Sequence, residues 1–223
     1  MSYHRPVVAA IFDMDGLLID SEPLWEQAEL DIFSTLDIDF SRREELPDTL
    51  GLRIDQVVRM WYETLPWSGS TQQEVTKRVI DRALALVEET RPLLPGVENA
   101  LQLCQRSGLK IALASASPLF MLERVLEMFN IRSYFEILAS AESLPYSKPH
   151  PQVYLDAAAR LGVDPLNCVT LEDSFNGMVA TKAARMRSIV VPDAEYAADP
   201  RWALADVKLT SLTELTGQHL LGR

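Results

Sequence analysis

The chain has 223 residues, of which 48% are hydrophobic, so it can form one large domain or a domain that carries an insertion. Its formal net charge of -11 at pH 7 argues against a nucleic acid partner, because phosphate backbones are bound by clustered Lys and Arg. No charged and apolar signal segment precedes the first predicted strand, and no apolar stretch approaches the length of a membrane span. We therefore expect a cytoplasmic protein without a membrane partner, and a monomer, since no long apolar surface stripe is present.

The first predicted element is a buried strand that ends at two carboxylates. Residues 7–12 are apolar without polar alternation, which predicts a strand covered on both faces, as in a parallel sheet. Asp13 and Asp15 follow it, and because strand side chains alternate, both point to roughly the same side. Two carboxylates at the ligand-binding edge of such a sheet favour a bound cation such as Mg²⁺. The alternative interpretation is a solvated turn.

The next part of the chain, residues 22–90, has the character of helices. Apolar residues at spacings of three and four predict a helix in residues 25–33. A second apolar stripe predicts another helix, and its residues are Val75, Val79, Ala83, Leu86 and Val87. The simplest organisation is a helical cap domain at residues 21–91, inserted into an α/β core domain of residues 1–20 and 92–223. Trp25, Trp61 and Trp67 fall in this cap, where we expect core packing more than stacking on a sugar.

Strands and helices alternate in the remainder of the chain. The predicted strands are residues 110–114, 136–139, 168–172 and 188–191, with residues 206–209 as a candidate edge strand. The fold class is therefore α/β, with a Rossmann-like parallel sheet. Cys104 and Cys168 have no paired spacing for zinc or redox chemistry, and we interpret them as buried thiols in a reducing compartment.

Polar residues follow two of these later strands as well. Ser115 ends one strand, and Ser117 before Pro118 predicts a helix N-cap whose free N–H groups offer a seat for phosphate oxygens. Glu172 and Asp173 end another strand, although acidic residues are also common at helix starts for electrostatic reasons. Between these two strands, Lys148 is a lone lysine with prolines on both sides, which restrict the backbone around it.

An Asp pair, a Ser, a Lys and a second acidic pair in this order resemble the four motifs of the haloacid dehalogenase superfamily of phosphohydrolases. Asp20-Ser21-Glu22-Pro23 and Ser147-Lys148-Pro149 are similar to the subgroup of sugar-phosphate phosphatases and β-phosphoglucomutases. The resemblance spans essentially the whole chain. It implies a Rossmann-like core with an inserted helical cap, and hydrolysis of small phosphorylated metabolites such as hexose or hexitol phosphates and 2-deoxyglucose 6-phosphate.

The resemblance also implies the roles of individual residues. Asp13 would be the nucleophile that forms an aspartyl phosphate, and Asp15 the general acid and base. Three groups would hold the phosphate, namely Ser115, the backbone N–H of Ala116 and Lys148. Mg²⁺, which Mn²⁺ or Co²⁺ can replace in such sites, would be bound by Asp13, the Asp15 backbone carbonyl and Asp173, with Glu172 as an outer or weaker ligand.

Two departures from the family pattern bear on the reaction and the substrate. In β-phosphoglucomutases a histidine on the first cap helix supports the acid, whereas Trp25 occupies that place here and cannot carry a proton. None of the chain's three histidines replaces it convincingly, and they are His4, His150 and His219. This favours a phosphatase over a mutase, and intact motifs disfavour a non-catalytic sugar-phosphate sensor. Arg53 is similar to a cap arginine of related mutases but is offset by one residue, so it is a candidate substrate contact or a solvated helix arginine.

Overall fold

A six-stranded parallel sheet forms the centre of the structure, a computed structural model that describes residues 5–38, 49 and 51–222. The strands are β1 (Ala9–Phe12), β2 (Lys110–Ser115), β3 (Ile137–Ser140), β4 (Cys168–Glu172), β5 (Arg187–Val190) and β6 (Val207–Lys208). Their spatial order is β3-β2-β1-β4-β5-β6. The predicted α/β class and parallel sheet are confirmed, and the strand bounds differ from the predicted ones by at most two residues.

The order of the strands brings the polar strand ends together. β1 lies between β2 and β4, and Phe12 pairs in register with Leu113 on one side and Leu171 on the other. Because the three strands are parallel, the residues that follow them lie at one edge of the sheet. This edge is where the sequence places Asp13, Ser115 and Glu172.

Helices cover both faces of the sheet, as the uninterrupted apolar strands predict. The helices of this core are α4 (Val97–Arg106), α5 (Leu119–Met128), α6 (Gln152–Leu161), α7 (Phe175–Ala183) and α8 (Gly217–Leu221). Side chains alternate along β1, so Ala10 and Phe12 pack with α4 and α5, whereas Ala9 and Ile11 pack with α6 and α7. None of the helices in the described residues is long and apolar enough to cross a bilayer.

The two cysteines lie in different apolar clusters on opposite faces of the sheet. Cys104 packs in the cluster that contains α4, and Cys168 packs in the one that contains α6. Both are free thiols, and burial raises the pKa of each to about 12. They are therefore unreactive buried thiols, as interpreted from the sequence.

The segment between β1 and β2 forms a helical unit with its own apolar core. Its helices are α1 (Glu22–Phe33), α2 (Ile54–Thr64) and α3 (Gln72–Thr90). All five residues of the predicted α3 stripe are buried. Trp61 and Trp67 are buried in this core, and Trp61 stacks on Phe33 at 4.5 Å between ring centroids. The core interpretation therefore holds for these two tryptophans, and Trp25 is partly buried against this core and against the apolar core beside β1.

Candidate active site

The carboxyl ends of β1, β2 and β4 open into a cavity of about 780 Å³ that the helical unit borders. Six of the eight residues predicted to form a site line this cavity, and they are Asp13, Asp15, Ser115, Ala116, Lys148 and Asp173. Glu172 lies directly behind the cavity wall with no exposed surface. Arg53 does not line the cavity. The parallel topology therefore brings together residues that are up to 160 positions apart in the chain.

A buried ammonium group connects two of the strand ends. The Nζ of Lys148 donates to Asp13 Oδ1 at 2.7 Å and to Glu172 Oε1 at 2.6 Å. Burial by itself would lower the pKa of Lys148, but the two carboxylates outweigh burial and raise it. Burial raises the pKa of Asp13 to about 8, and the ammonium group of Lys148 opposes this rise. Lys148 therefore stays cationic, while Asp13 needs further positive charge to ionise fully at neutral pH.

The Glu172 carboxylate is enclosed by hydrogen-bond donors. Its Oε1 accepts from Lys148 and from the hydroxyl of Tyr154, and its Oε2 accepts from the backbone N–H groups of Asp173 and Ser174 and from the Ser174 hydroxyl. Five donors occupy the acceptor capacity of a carboxylate. This geometry favours an outer position for Glu172, as a residue that holds Lys148 and the turn after β4.

A divalent cation fits the remaining carboxylates. The carboxylate oxygens of Asp13, Glu172 and Asp173 lie within 4.8 Å of one another, and Lys148 is the only ammonium group that bonds to any of them among the described residues. Asp173 Oδ1 is buried and has no hydrogen-bond partner within the described part of the chain. Burial, and then the charge of Glu172, raise the pKa of Asp173 well above its ordinary value. An excess of buried negative charge and an unpaired carboxylate oxygen suit a hard ion such as Mg²⁺.

The loop after β1 approaches the Asp173 carboxylate closely at Gly16. The φ of this glycine is +70°, and a Cβ atom added there would lie 2.0 Å from Asp173 Oδ2. Any side chain would therefore displace the Asp173 carboxylate, in addition to straining the backbone. The glycine that follows the Asp pair is a requirement of the site geometry and not only of the turn.

Asp15 is held from both sides of the cavity. Its Oδ1 accepts from Ser21 Oγ at 2.8 Å and from Trp25 Nε1 at 2.9 Å, and both donors belong to the start of α1. Its Oδ2 accepts from Ser117 Oγ at 2.7 Å and from Ser115 Oγ at 3.3 Å, at the end of β2. Asp15 therefore links the helical unit to the sheet edge, next to the Asp13 carboxylate.

The structure corrects the expectation for Ser117. Helix α5 begins at Leu119 with Pro118 as its N-cap, and no side chain caps it. The Ser117 hydroxyl donates to Asp15 instead, and its backbone N–H donates to Ser115 Oγ at 3.0 Å. The Ser-Pro pattern predicts a cap from local preferences, whereas the tertiary fold offers this hydroxyl a stronger, charged acceptor.

Arg53 bonds to protein groups outside the lining of the cavity, and its contact with substrate stays a prediction. Its Nη1 donates to the backbone carbonyls of Ala141 and Leu144 at 2.7 Å each. Its Nε and Nη2 donate to the carboxylate of Asp55 at 2.5 and 2.9 Å. The guanidinium group therefore connects the start of α2 to the segment that leads to Lys148, and the solvated alternative does not describe it.

Tyr154 contributes to the site without any signal in the sequence, because its hydroxyl reaches Glu172 through a side-chain contact that local patterns do not encode. Ser21 belongs to a motif of the family resemblance and Trp25 takes the place of the histidine that supports the acid in related mutases, and both donate to Asp15. The described histidines do not line the cavity: His150 Nδ1 accepts from the Gln152 backbone at 3.3 Å, and His219 belongs to the short helix α8. His4 lies outside the described residues.

The fold and this site define a Rossmann-like α/β protein whose acidic centre lies at the carboxyl edge of a parallel sheet. Residues 7–185 match the family model described as "Hydrolase: haloacid dehalogenase-like hydrolase". The chain belongs to this family, as the resemblance of its four motifs predicts.

Known proteins that are similar over the whole chain agree with this assignment. Hexitol phosphatase B of Escherichia coli (strain K12) is 69% identical over 222 residues, which cover 100% of both chains. The crystal structure of a CbbY mutant from Rhodobacter sphaeroides in complex with xylulose-(1,5)bisphosphate matches with a TM-score of 0.84 at 27% identity, covering 96% of this chain and 99% of that one. A β-phosphoglucomutase from Clostridium difficile matches with a TM-score of 0.79 at 27% identity, covering 96% and 95%. The chain is therefore an enzyme, a phosphoric monoester hydrolase of this family.

Proposed function

We propose that this enzyme is a Mg²⁺-dependent phosphatase that hydrolyses hexitol and hexose monophosphates through an aspartyl-phosphate intermediate. The observation that carries the proposal is the arrangement of Asp13, Lys148 and Asp173 at the floor of the cavity, with one ammonium group among the buried carboxylates. The name of the Escherichia coli relative supports the choice of substrate class.

The proposed mechanism assigns the attack on phosphorus to the Asp13 carboxylate. The ammonium group of Lys148, the hydroxyl of Ser115 and the backbone N–H of Ala116 would bind and orient the phosphoryl oxygens. Asp15 would give a proton to the departing sugar oxygen and then take one from the water that hydrolyses the aspartyl phosphate. Asp15 must exchange some of its present donors for the substrate, because four donors now occupy its two carboxylate oxygens.

The residues that would hold the metal are Asp13 and Asp173 by their carboxylates and Asp15 by its backbone carbonyl. A bound Mg²⁺, or Mn²⁺ or Co²⁺ in its place, supplies positive charge that allows two anions, the nucleophile and the phosphate, to approach each other. Glu172 would remain outside this set, because its five donors already occupy it.

We also propose that residues 21–91 act as a cap domain over a core domain of residues 1–20 and 92–223. The helical unit has its own apolar core, and Ser21 and Trp25 connect it to Asp15 across the cavity. A closed cap would exclude bulk water and strengthen the electrostatic interactions in the site. Monomeric state and cytoplasmic location stay predictions from the sequence.

Trp25 favours hydrolysis over mutase chemistry. Its indole N–H donates to the Asp15 carboxylate from the first helix of the proposed cap, so it can orient the acid but cannot store or deliver a proton. An aspartyl phosphate in such a site would be open to attack by water activated by Asp15 alone. A phosphatase is therefore the first choice, and a hexose-phosphate mutase is the alternative.

Trp25→Phe is expected to lower kcat about tenfold with a smaller change in KM, because it removes one hydrogen bond to a charged group and keeps most of the ring. Steady-state phosphate release would measure both constants. Trp67→Phe is the matched control, because it removes an indole N–H in the same helical unit that donates to the Ser70 carbonyl. Equal loss in the two variants would contradict a specific role for Trp25.

The proposed function is tested with a panel of phosphorylated sugars, sugar alcohols and other metabolites, scored for free phosphate with Mg²⁺ and with EDTA. We expect release from hexitol and hexose monophosphates with Mg²⁺ and none with EDTA. Mg²⁺ should also raise the thermal unfolding midpoint, because a cation bound to the folded carboxylates stabilises the native state. Isomer formation without phosphate release in the presence of a sugar bisphosphate would favour the mutase, and activity in EDTA would overturn the metal site.

A further inference from the structure

Tyr154 is a fully buried residue of α6 that has no part in the mechanism above. Its hydroxyl donates to Glu172 Oε1, the same oxygen that accepts from Lys148 at 2.6 Å. Its ring also lies beside the ammonium group, with Nζ at 5.2 Å from the ring centroid. Tyr154 therefore contacts both partners of the buried ion pair and is separated from the substrate cavity by them.

The Glu172 carboxylate cannot rotate to accommodate changes at Oε1. On its other side Oε2 is held by two backbone N–H groups and by the Ser174 hydroxyl. A Cβ atom added to Gly177 would lie 1.9 Å from the Glu172 carboxyl group, so α7 packs directly against it. The position of Oε1 is thus set by the fold, and the position of Lys148 depends on how that oxygen is shared.

Lys148 and Tyr154 share Glu172 Oε1 as their acceptor. Oε1 thus accepts from two donors, and the ammonium group also bonds to Asp13 at 2.7 Å. The aromatic ring adds a cation-π contact that restricts movement of Nζ away from this position.

We propose that Tyr154 is a positioning residue for phosphoryl transfer, whose hydroxyl and ring hold the ammonium group of Lys148 between Glu172 and Asp13. The inference rests on the proposed function, because it assigns Lys148 to the transferred phosphate. Without the hydroxyl, Lys148 shifts toward Glu172, and its contacts with Asp13 and with phosphate weaken.

Tyr154→Phe tests the inference, because it removes only the hydroxyl and keeps the ring next to Lys148. We expect kcat to fall about tenfold, the range seen when the outer partner of a site residue is removed. The inhibition constant for inorganic phosphate should rise several-fold, whereas the Mg²⁺ concentration for half-maximal activity should change little. Tyr154→Leu, which removes the ring as well, should lower kcat further.

A merely structural role predicts a different result. Tyr154→Phe would then lower the thermal unfolding midpoint but leave kcat and the phosphate inhibition constant at their wild-type values, and this outcome would overturn the inference. Tyr134→Phe is the control, because Tyr134 packs against the apolar core on the other face of the sheet and should leave both constants unchanged. Absence of turnover in the wild-type enzyme on every phosphorylated substrate would instead refute the proposed function.

Discussion

Asp13→Asn is expected to lower kcat by at least about a thousandfold, because a neutral amide of the same shape cannot attack phosphorus as a carboxylate does. The fold should remain intact. The pKa of Asp13 is raised to about 8 from its ordinary 3.8, so ionising this buried carboxyl destabilises the metal-free protein as the pH rises through this interval. The Asn variant lacks this cost, and its unfolding midpoint at pH 8 without Mg²⁺ should equal or exceed that of the wild type.

Two measurements distinguish loss of the nucleophile from a general loss of activity. Mass spectrometry of the rapidly quenched wild-type enzyme with substrate should detect a phosphoryl adduct on the peptide that contains Asp13, and the Asn variant should show none. Asp81→Asn is the control for phosphate release, because Asp81 is an exposed α3 residue that pairs with Lys77. Wild-type turnover by the Asp13→Asn variant would remove this residue from the mechanism.

Lys148→Met is expected to cause a similar loss of activity and, unlike Asp13→Asn, a large loss of stability. The side chain of Lys148 is 2% exposed and bonds to two carboxylates that are themselves buried. Removal of the ammonium group leaves those carboxylates without their cation, and breaking a buried ion pair in this way costs about 3–5 kcal/mol. The transferred phosphate would lose its charged partner at the same time, so kcat should fall by about a thousandfold or more.

Denaturant unfolding and phosphate release measure the two effects in one preparation. Lys182→Met serves as the reference, because Lys182 forms a partly exposed pair with Asp206, and pairs near the surface contribute at most about 1 kcal/mol. Mg²⁺ should restore part of the stability of Lys148→Met, since it neutralises the same carboxylates, but it should not restore turnover. A variant with wild-type stability and turnover would contradict both assigned roles of Lys148.

The opposite stability effects of these two substitutions follow from one charge imbalance. Three buried carboxylates, those of Asp13, Glu172 and Asp173, face one ammonium group in the described structure. Removing a negative charge reduces the imbalance, and removing the positive charge increases it. The same imbalance is the physical reason to expect a divalent cation at this site.

Much of the fold could be predicted from the chain alone, because its strands are short apolar runs that end at polar residues. Residues 7–12 and 168–172 show this pattern, and the structure contains β1 and β4 there. A strand covered on both faces needs no polar alternation, so its apolar run is visible locally. The α3 stripe could be predicted because it is also a local pattern: a helix repeats its buried positions every three or four residues.

The residues that form the site could also be predicted from the sequence, because parallel strands have their carboxyl ends at one edge of the sheet. Asp13, Ser115 and Asp173 each lie at the end of such a strand, and they line one cavity. The full order of the strands could not be predicted from the sequence. Any order that places β1 between β2 and β4 nevertheless brings these three strand ends to one cavity. The family resemblance of the four motifs supplied the roles that patterns alone left open.

The contacts of the individual side chains depended on the tertiary structure. Ser117 bonds to Asp15 instead of capping α5, Arg53 bonds to backbone carbonyls instead of facing the cavity, and Tyr154 reaches Glu172. The local sequence determines which backbone conformation a segment prefers and how its buried residues are spaced, because both properties depend on neighbours a few positions away. Which donor meets which acceptor is decided by the packing of elements distant in the chain, where a buried charge recruits the partners that the fold places within reach.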